Sequence, residues 1–301
     1  MSAFPNNSAT PDAAAAGRFL FGGDTPVNRM GYGAMRLSGP DIMGPPRDRD
    51  EAVAVLRRAV ELGVNHIDTS DYYGPFTVNE VIRQALYPYP EDLLLVTKVG
   101  ARRSADGGWH PALSAAELTS AVHDNLRRLG VERLGAVNLR LADRTGGQFV
   151  DGSVAEHFEV LAGLREQGLI WHLGVSNVGL DQVREAQSIA PVACVQNMYN
   201  IAARGDDALI DWCADNGVAF VPFFPIGGFS PLQNDAVNAV AAEAGVAPMQ
   251  LALVWLLARS PAILAIPGTS TVVHLEQNVA AAGLSITEEQ RSRLDRIGAA
   301  R

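Results

Sequence analysis

Residues 66–74 read His-Ile-Asp-Thr-Ser-Asp-Tyr-Tyr-Gly, and residues 94–98 read Leu-Leu-Val-Thr-Lys. Each stretch begins as a short apolar strand and ends in polar residues, a pattern typical of parallel α/β barrels. The carboxyl ends of neighbouring parallel strands meet at one edge, so Asp68, Tyr73 and Lys98 are expected to converge there. An acid, a phenol and an amine in one pocket can protonate a carbonyl, and a reductase is therefore the first hypothesis.

The same alternation of apolar strand and amphipathic helix continues along the chain. Several helical patterns end in glycine, as at Gly63 and Gly130, which is typical of a helix C-terminus. The candidate strands are 30–34, 64–67, 93–97, 135–139, 171–175, 192–196, 218–221 and 263–266. Eight such units predict a (β/α)8 barrel of the α/β class. An N-terminal β-hairpin at 19–30 is expected to cap the barrel, and extra helices are expected at 234–244 and 287–297.

A single domain is expected for residues 19–301, because no low-complexity linker divides them. Residues 1–18 are rich in Ala, Asn, Ser and Pro and are expected to form a disordered tail. They lack the basic segment and the apolar core of a signal peptide.

The composition narrows the function classes. The 301 residues carry a net charge of −9 without a basic run, so no nucleic-acid partner is expected. Cys194 and Cys213 lack CxxC spacing and predict reduced, buried thiols in a cytoplasmic protein. The apolar stretch 249–258 is too short to cross a bilayer, so no membrane association is expected, and no oligomer is predicted.

Asp68, Tyr73 and Lys98 can divide the work of carbonyl reduction. Tyr73 is expected to donate its hydroxyl proton to the carbonyl oxygen while a hydride reaches the carbon. A phenol has an ordinary pKa of about 10, and an ammonium group about 4 Å away would lower it. Lys98 is therefore expected to lower the pKa of Tyr73, and Asp68 to hold Lys98 in place. Tyr72 is the rival proton donor.

The chain resembles the aldo-keto reductases at several points. Residues 68–74 are similar to the family's DTAxxYG signature, which selects Tyr73 over Tyr72. Residues 174–177 resemble its GxSN contact to the nicotinamide amide, and residues 196–200 resemble its QxxYN segment. The resemblance covers nearly everything after residue 18 and implies hydride transfer from NADPH.

The resemblance also implies a set of cofactor-binding residues spread over several segments. They are Gly33, Ala34, Met35, Ser176, Asn177, Gln196, Phe223, Pro225, Gly268, Thr269, Ser270, His274, Gln277 and Asn278. Ser176, Asn177 and Gln196 can clamp a carboxamide, and Phe223 can stack on the nicotinamide ring. Thr269 and Ser270 precede a helical pattern whose amides can hold a phosphate, and Ser270 could equally be an N-cap. No GxGxxG motif occurs, so a Rossmann site is not expected.

The chain departs from the family pattern at two places. The catalytic histidine that follows the family's fourth strand is replaced by Arg140, which stays charged and can only donate hydrogen bonds. This variant resembles the bacterial pyridoxal-reducing branch, so Arg140 is expected to bind the carbonyl oxygen or an anionic substituent beside it; an ion pair with Asp143 is the alternative. The family's basic residues for the 2′-phosphate appear here as Gly268 and His274, and NADPH is favoured over NADH on resemblance alone.

The remaining expectations concern the substrate. Trp109 and His110 lie in the long loop after the third strand and are expected to line its pocket, and no histidine spacing indicates a metal site. Pyridoxal, a small-molecule aldehyde, is the leading substrate. Two alternatives stay open, a lyase that uses Lys98 as a Schiff-base nucleophile and a nicotinamide-sensing or partner-binding protein with little turnover.

Overall fold

The computed structural model describes residues 10–141, 151–225, 227 and 235–298. Its strands are β1 Arg18–Phe21, β2 Thr25–Asn28, β3 Tyr32–Gly33, β4 His66–Asp68, β5 Leu94–Val99, β6 Ala101–Arg103, β7 Trp109–Pro111, β8 Leu134–Arg140, β9 Ile170–Ser176, β10 Val192–Gln196 and β11 Ala219–Phe220. Seven of them, β3, β4, β5, β8, β9, β10 and β11, form one sheet in chain order, with parallel pairing throughout.

Residues 263–265 close this sheet into a barrel. Ile263 pairs in parallel with Phe220 at one edge, and Ala265 pairs in parallel with Met30 at the other edge. The Leu264 amide donates to the Phe220 carbonyl at 2.9 Å, and the Gly31 amide donates to the Ala265 carbonyl at 2.8 Å. An eighth parallel segment therefore joins both edges, and the predicted (β/α)8 barrel is confirmed.

Helices alternate with the barrel strands. They are α1 Arg49–Glu61, α2 Thr77–Leu86, α3 Ala115–Leu129, α4 Ala155–Glu166, α5 Leu180–Ile189, α6 Asp207–Asp215, α7 Asp235–Ala244, α8 Pro248–Arg259, α9 Val272–Ala280 and α10 Glu288–Gly298. Capping residues explain their ends: Ser114 and Glu117 bond reciprocally at the start of α3, and Gly130 ends it with φ 72°. The extra helices α7 and α10 begin one residue after their predicted starts.

Two antiparallel hairpins decorate the barrel. The first, β1 with β2, was expected, and its Phe21 side chain packs with Leu94 and Val96 in the barrel interior. The second, β6 with β7, replaces the loop that was expected after the third barrel strand. Its turn is held by a hydrogen bond from the Ser104 amide to the Gly108 carbonyl, which a search for apolar alternation does not detect.

The chain is ordered upstream of the first hairpin. Residues 13–16 form a 3-10 helix capped by the Asp12 carboxylate, and the Ala13 amide donates to the Leu62 carbonyl at 2.8 Å. Ala13 is fully buried. Residues 10–18 are therefore ordered, in contrast to the disordered tail that was expected, because Ala13 packs against the end of α1. The expectation of disorder remains a prediction for residues 1–9, which lie outside the described residues.

The core has two layers, one inside the barrel and one between the strands and the helices. Cys194 and Cys213 are free and buried, as expected. Among the described residues, no single helix is long and apolar enough to cross a membrane. Only α7 and α8 taken together have that length and apolarity, and the chain bends by 88° between these two helices.

Candidate active site

The centre of the candidate site is a buried ion pair at the ends of β4 and β5. Lys98 Nζ donates to Asp68 Oδ1 at 2.6 Å and to the Thr69 carbonyl at 2.8 Å. Gln196 Nε2 donates to Asp68 Oδ2 at 2.8 Å. Asp68 and Lys98 are each 3% exposed. Charges at this depth are tolerated only when paired and hydrogen-bonded, so each group fixes the position of the other.

Tyr73 lies over this pair, as the spacing of the motif predicted. Its ring centroid is 5.1 Å from Lys98 Nζ, and the residue is 7% exposed. Burial raises the pKa of Tyr73, the Asp68 carboxylate raises it further, and only Arg140 opposes them. The expectation that Lys98 lowers the pKa of Tyr73 is therefore wrong for the ligand-free chain. The physical reason is that burial disfavours the charged phenolate, and the Asp68 carboxylate that pairs with Lys98 repels it as well.

A buried hydrogen-bond network supports the loop that carries Tyr73. Thr69 Oγ1 donates to Asn79 Oδ1 at 2.8 Å, and Asn79 Nδ2 donates to Asn125 Oδ1 at 3.0 Å. Thr97 Oγ1 donates to the same Asn125 oxygen at 2.6 Å. The network ties the loop to α2, α3 and β5, and so it holds the Thr69 carbonyl that accepts from Lys98. The sequence gives no sign of these residues, because no periodic pattern marks a polar group between two helices.

Asp71 links the same loop to α3 through an ion pair with Arg128. Burial raises the pKa of Asp71 to about 6, although Arg128 opposes the shift. The guanidinium of Arg128 also lies 3.4 Å from the ring centroid of Phe76, which has a left-handed backbone with φ 75°.

Arg140 ends β8 and points into the site. It donates to Ser176 Oγ at 3.0 Å, and its guanidinium lies 5.1 Å from the ring centroid of Phe223. It therefore meets two of the residues that were expected to hold the cofactor. Asp143, the alternative partner, lies outside the described residues.

Tyr72, the rival donor, is also buried. Its ring makes edge contacts with Tyr73 and Trp109, each at 5.4 Å between centroids. Burial raises the pKa of Tyr72 to about 12, and Arg140 opposes the shift. Its hydroxyl has no hydrogen-bond partner among the described residues.

Of the predicted pocket residues, Trp109 lies beside Tyr72. The guanidinium carbon of Arg103 lies 4.2 Å from the ring centroid of Trp109. His110 follows it on β7 and is engaged within the hairpin, with Nε2 3.0 Å from Ser104 Oγ. Neighbouring residues of a strand face opposite sides, which explains the different surroundings of Trp109 and His110.

Gln196 has an oxygen suited to a carboxamide. A carboxylate only accepts hydrogen bonds, so Gln196 presents its amide nitrogen to Asp68, and Oε1 faces away. This oxygen is buried and has no partner within the described part of the chain. The other two expected carboxamide ligands are already engaged: Ser176 accepts from Arg140, and Asn177 Nδ2 donates to the Leu141 carbonyl at 3.0 Å.

We call residues 33–36 together with residues 266–278 the nucleotide edge. Its two segments touch through backbone, since a Cβ at Gly268 would lie 2.8 Å from the Gly33 carbonyl oxygen. Tyr32 Oη donates to the Thr269 carbonyl at 2.6 Å. Ala34 and Met35 begin a short 3-10 helix beside this contact. The structure thus brings the predicted residues of both segments together.

The helix α9 continues the nucleotide edge. Thr271 caps it by accepting from the His274 amide at 3.4 Å, so the predicted alternative role of Ser270 as the cap is wrong. Ser270, His274 and Gln277 are exposed, whereas Asn278 is buried. Asn278 Oδ1 has no hydrogen-bond partner among the described residues.

These two buried acceptors test whether NADPH fits the site. Gln196 Oε1 lies among the catalytic groups and Asn278 Oδ1 on the nucleotide edge. An unsatisfied buried acceptor costs about 1–3 kcal/mol, and the amino groups of a nicotinamide and of an adenine are donors that would remove that cost. The residues present therefore fit a nicotinamide adenine dinucleotide. Phe223 and Pro225 follow β11 on the same side of the barrel, with Phe223 half-buried and open to stacking.

Comparison with known proteins agrees with this geometry. The model of the aldo/keto reductase family matches residues 29–299. Pyridoxine 4-dehydrogenase of Escherichia coli (strain K12) is 58% identical to the chain over 275 residues, which is 91% of the chain and 96% of that enzyme.

Solved structures show the same similarity. A thermostable aldo-keto reductase in complex with the inhibitor epalrestat has a TM-score of 0.79 at 27% identity, over 93% of this chain and 99% of that one. An aldo/keto reductase from Klebsiella pneumoniae in complex with NADP and acetate has a TM-score of 0.74 at 26% identity, over 93% and 94% of the two chains.

Proposed function

This chain belongs to the aldo/keto reductase family, and on that premise we propose that it reduces pyridoxal to pyridoxine with NADPH. The observation that carries the proposal is the buried Asp68–Lys98 pair beneath Tyr73, in a chain 58% identical to pyridoxine 4-dehydrogenase. The family makes the chain an oxidoreductase; the substrate and the residue roles are the proposal.

When bound, NADPH supplies the hydride that reaches the carbonyl carbon. Tyr73 supplies the proton to the carbonyl oxygen. Its raised pKa keeps the phenol protonated at neutral pH, which is the form that donation requires. Asp68 holds Lys98 against the ring of Tyr73, and the positive charge of Arg140 stabilises the phenolate that remains until solvent returns the proton.

Arg140 gives the site its preference for pyridoxal. The aldehyde of pyridoxal has a phenolic oxygen beside it, and a guanidinium that stays charged can bind that oxygen when it is ionised. The contact of Arg140 with Ser176 holds the guanidinium at the end of β8, on the side of the site that Phe223 covers. Tyr72 and Trp109, whose rings are in contact, would form another part of the substrate pocket.

The cofactor residues follow from the two buried acceptors. Gln196 Oε1 would accept from the nicotinamide carboxamide, with Ser176 and Asn177 beside it, and Phe223 would stack on the ring. Asn278 Oδ1 would accept from the adenine amino group. Gly33, Ala34, Met35, Pro225, Gly268, Thr269, Ser270, His274 and Gln277 would line the rest of the dinucleotide.

The geometry disfavours a Schiff-base lyase. A nucleophilic lysine must be a neutral amine, and Lys98 is held by a carboxylate at 2.6 Å and by a carbonyl at 2.8 Å. The free buried thiols of Cys194 and Cys213 are consistent with the cytoplasmic location that we assign to the enzyme.

The test follows NADPH consumption with pyridoxal, with other aldehydes, and with the Tyr73→Phe variant. We expect wild-type chain to reduce pyridoxal and the variant to lose about 10²- to 10⁴-fold in kcat, because only the proton donor is removed. NADPH affinity, measured by fluorescence, should not change in the variant. Full activity of Tyr73→Phe would contradict the proton-donor role, and tight NADPH binding without turnover of any aldehyde would favour the sensor alternative.

A further inference from the structure

Two neighbouring residues between β3 and α1 have a backbone conformation that is unfavourable for their side chains. Asp41 has φ 56° and Ile42 has φ 60°, both in the left-handed region. Aspartate adopts this region occasionally, but a β-branched residue rarely does, because its Cβ crowds the backbone there. Such a conformation persists where surrounding contacts hold it, and it is common at functional sites. The contacts of residues 41 and 42 therefore show what holds this segment in place.

Arg103, the last residue of β6, donates hydrogen bonds to the backbone of both residues. Its Nη2 donates to the Asp41 carbonyl at 3.0 Å, and its Nη1 donates to the Ile42 carbonyl at 3.4 Å. Nη2 and Nε also donate to the Gly107 carbonyl, in the turn of the β6–β7 hairpin, at 2.8 Å and 3.2 Å. One planar guanidinium, with its fixed set of donors, therefore ties the left-handed segment to the hairpin.

The same guanidinium supports a row of aromatic rings. Its carbon lies 4.2 Å from the ring centroid of Trp109. The Trp109 ring meets Tyr72 edge-on, and Tyr72 meets Tyr73 in the same way, each at 5.4 Å between centroids. Because rings in such contact restrict one another's positions, Arg103 supports the aromatic side chains beside the proposed proton donor.

The left-handed segment also contacts the catalytic loop directly. The Gly74 amide donates to the Ile42 carbonyl at 3.1 Å, so this carbonyl accepts from both Gly74 and Arg103. Thr77 Oγ1 donates to the carbonyls of Gly44 and Gly74, each at 3.1 Å. A Cβ at Gly74 would lie 2.7 Å from the Gly44 carbonyl oxygen, which shows how closely the two backbones approach. A shift of residues 41–42 would therefore be felt in the catalytic loop.

Arg103 acts on this region through its neighbours. All three of its side-chain nitrogens already donate to backbone carbonyls. Arg103, Ile42 and Trp109 are each half-buried, so they lie where the interior of the protein meets solvent. This is the position of a pocket wall, and the guanidinium connects two parts of that wall, the left-handed segment and the hairpin.

We infer that Arg103 is a positioning residue that sets the shape of the substrate pocket, by holding residues 41–42 and the ring of Trp109 against the loop that carries Tyr73. The inference rests on the proposed function for the identity of the pocket, whereas the contacts of Arg103 do not depend on it. Without the guanidinium, residues 41–42 are expected to leave the left-handed region, because Ile42 favours extended or right-handed backbone. The wall then moves away from the catalytic loop.

The first test measures the steady-state kinetics of pyridoxal reduction for wild type, Arg103→Ala and Arg102→Ala. We expect Arg103→Ala to raise KM about tenfold and to change kcat less than about threefold, because the pocket wall moves while the Asp68–Lys98 pair stays in place. Arg102→Ala is the matched control, since it removes the exposed neighbour that faces the other side of β6, and it should change neither constant. An unchanged KM in Arg103→Ala would overturn the inference.

Two double variants separate support of the backbone from a direct contact between Arg103 and the substrate. Glycine adopts the left-handed region readily, whereas alanine keeps the Cβ that disfavours it. Arg103→Ala/Ile42→Gly should therefore have a KM within about threefold of that of Ile42→Gly alone, while Arg103→Ala/Ile42→Ala should keep a KM about tenfold above that of Ile42→Ala. If the two double variants lose affinity equally, the inference is wrong, because they differ only in the Cβ at position 42.

Hydrogen exchange of the Gly74 amide, followed by NMR on the ligand-free chain, tests the same inference without an aldehyde. This amide donates to the Ile42 carbonyl, and we expect it to exchange at least about tenfold faster in Arg103→Ala than in wild type. Protection should return in Arg103→Ala/Ile42→Gly. Because no turnover is needed, a chain that fails to reduce pyridoxal would leave the assignment of Arg103 intact, and unchanged exchange would overturn Arg103 alone.

Discussion

The catalytic centre and the nucleotide edge depart from the family pattern in opposite ways. At the catalytic centre, Arg140 adds a permanent charge where the resemblance implies a histidine; at the nucleotide edge, Gly268 and His274 stand where it implies basic residues. At the catalytic centre Asp68 and Lys98 are buried, and each has hydrogen-bond partners at fixed distances. The nucleotide edge is mixed: Ser270, His274 and Gln277 are exposed, whereas Asn278 is buried. Burial thus ties the charges of the catalytic centre to fixed partners, whereas several side chains of the nucleotide edge meet solvent.

The largest effect should come from breaking the buried pair. Lys98→Met leaves the Asp68 carboxylate without its cation, and we expect a loss of about 3–5 kcal/mol in the free energy of unfolding and of about 10³-fold in kcat. The double variant Asp68→Asn/Lys98→Met should recover most of the stability, because no lone charge remains, but none of the activity. Urea denaturation and NADPH consumption measure the two quantities.

The partly exposed pair of Arg58 and Glu276, which joins α1 to α9 with a nitrogen–oxygen distance of 2.8 Å, is the control. Arg58→Met should cost less than about 1 kcal/mol, as is usual for a surface pair. If the double variant proves as unstable as Lys98→Met alone, the two buried charges do not depend on each other, and the contrast between the regions fails.

Burial should also make the catalytic loop sensitive to pH through Asp71. Its pKa is raised from 3.8 to about 6, so the folded chain binds this proton more tightly than the unfolded chain does. The contribution of this proton to stability is then fully present below about pH 4 and is lost as pH rises through about 6. The free energy of unfolding is expected to fall by about 2–3 kcal/mol over this range. Asp71→Asn should remove this part of the pH dependence.

The measurement is the free energy of unfolding between pH 4 and 7 for wild type and Asp71→Asn. The difference between the two curves isolates Asp71 from the other carboxylates, and the lost contact to Arg128 adds only a constant offset. Asp181→Asn, which removes an exposed carboxylate on α5, is the matched control. Parallel curves for wild type and Asp71→Asn would contradict the prediction.

The smallest expected effect concerns Arg140 and tests whether the charge at the catalytic centre selects the substrate. Arg140→His should lower the ratio of kcat/KM for pyridoxal to that for benzaldehyde by about tenfold, because the charge-assisted hydrogen bond to the phenolic oxygen is lost. Activity on benzaldehyde itself serves as the internal control. An unchanged ratio would show that Arg140 does not select the substrate.

Sequence patterns predicted much of the site because its residues follow strands at regular positions. Asp68, Lys98, Arg140, Ser176 and Gln196 each lie at or near the end of a barrel strand, and the parallel fold brings such ends together. The pattern could not reveal the network of Asn79 and Asn125, since buried polar contacts between elements have no periodic signal.

The sequence by itself determined the barrel, the order of its strands and the residues that meet at its mouth, because apolar periodicity and strand-end motifs are local and repeat along the chain. Only the tertiary structure decided the electrostatics: burial and the nearby Asp68 carboxylate raise the pKa of Tyr73, and Arg140 opposes them. The physical reason is that a pKa depends on the distance to every nearby charge and on the depth of burial, and neither quantity is contained in the spacing of residues along the chain.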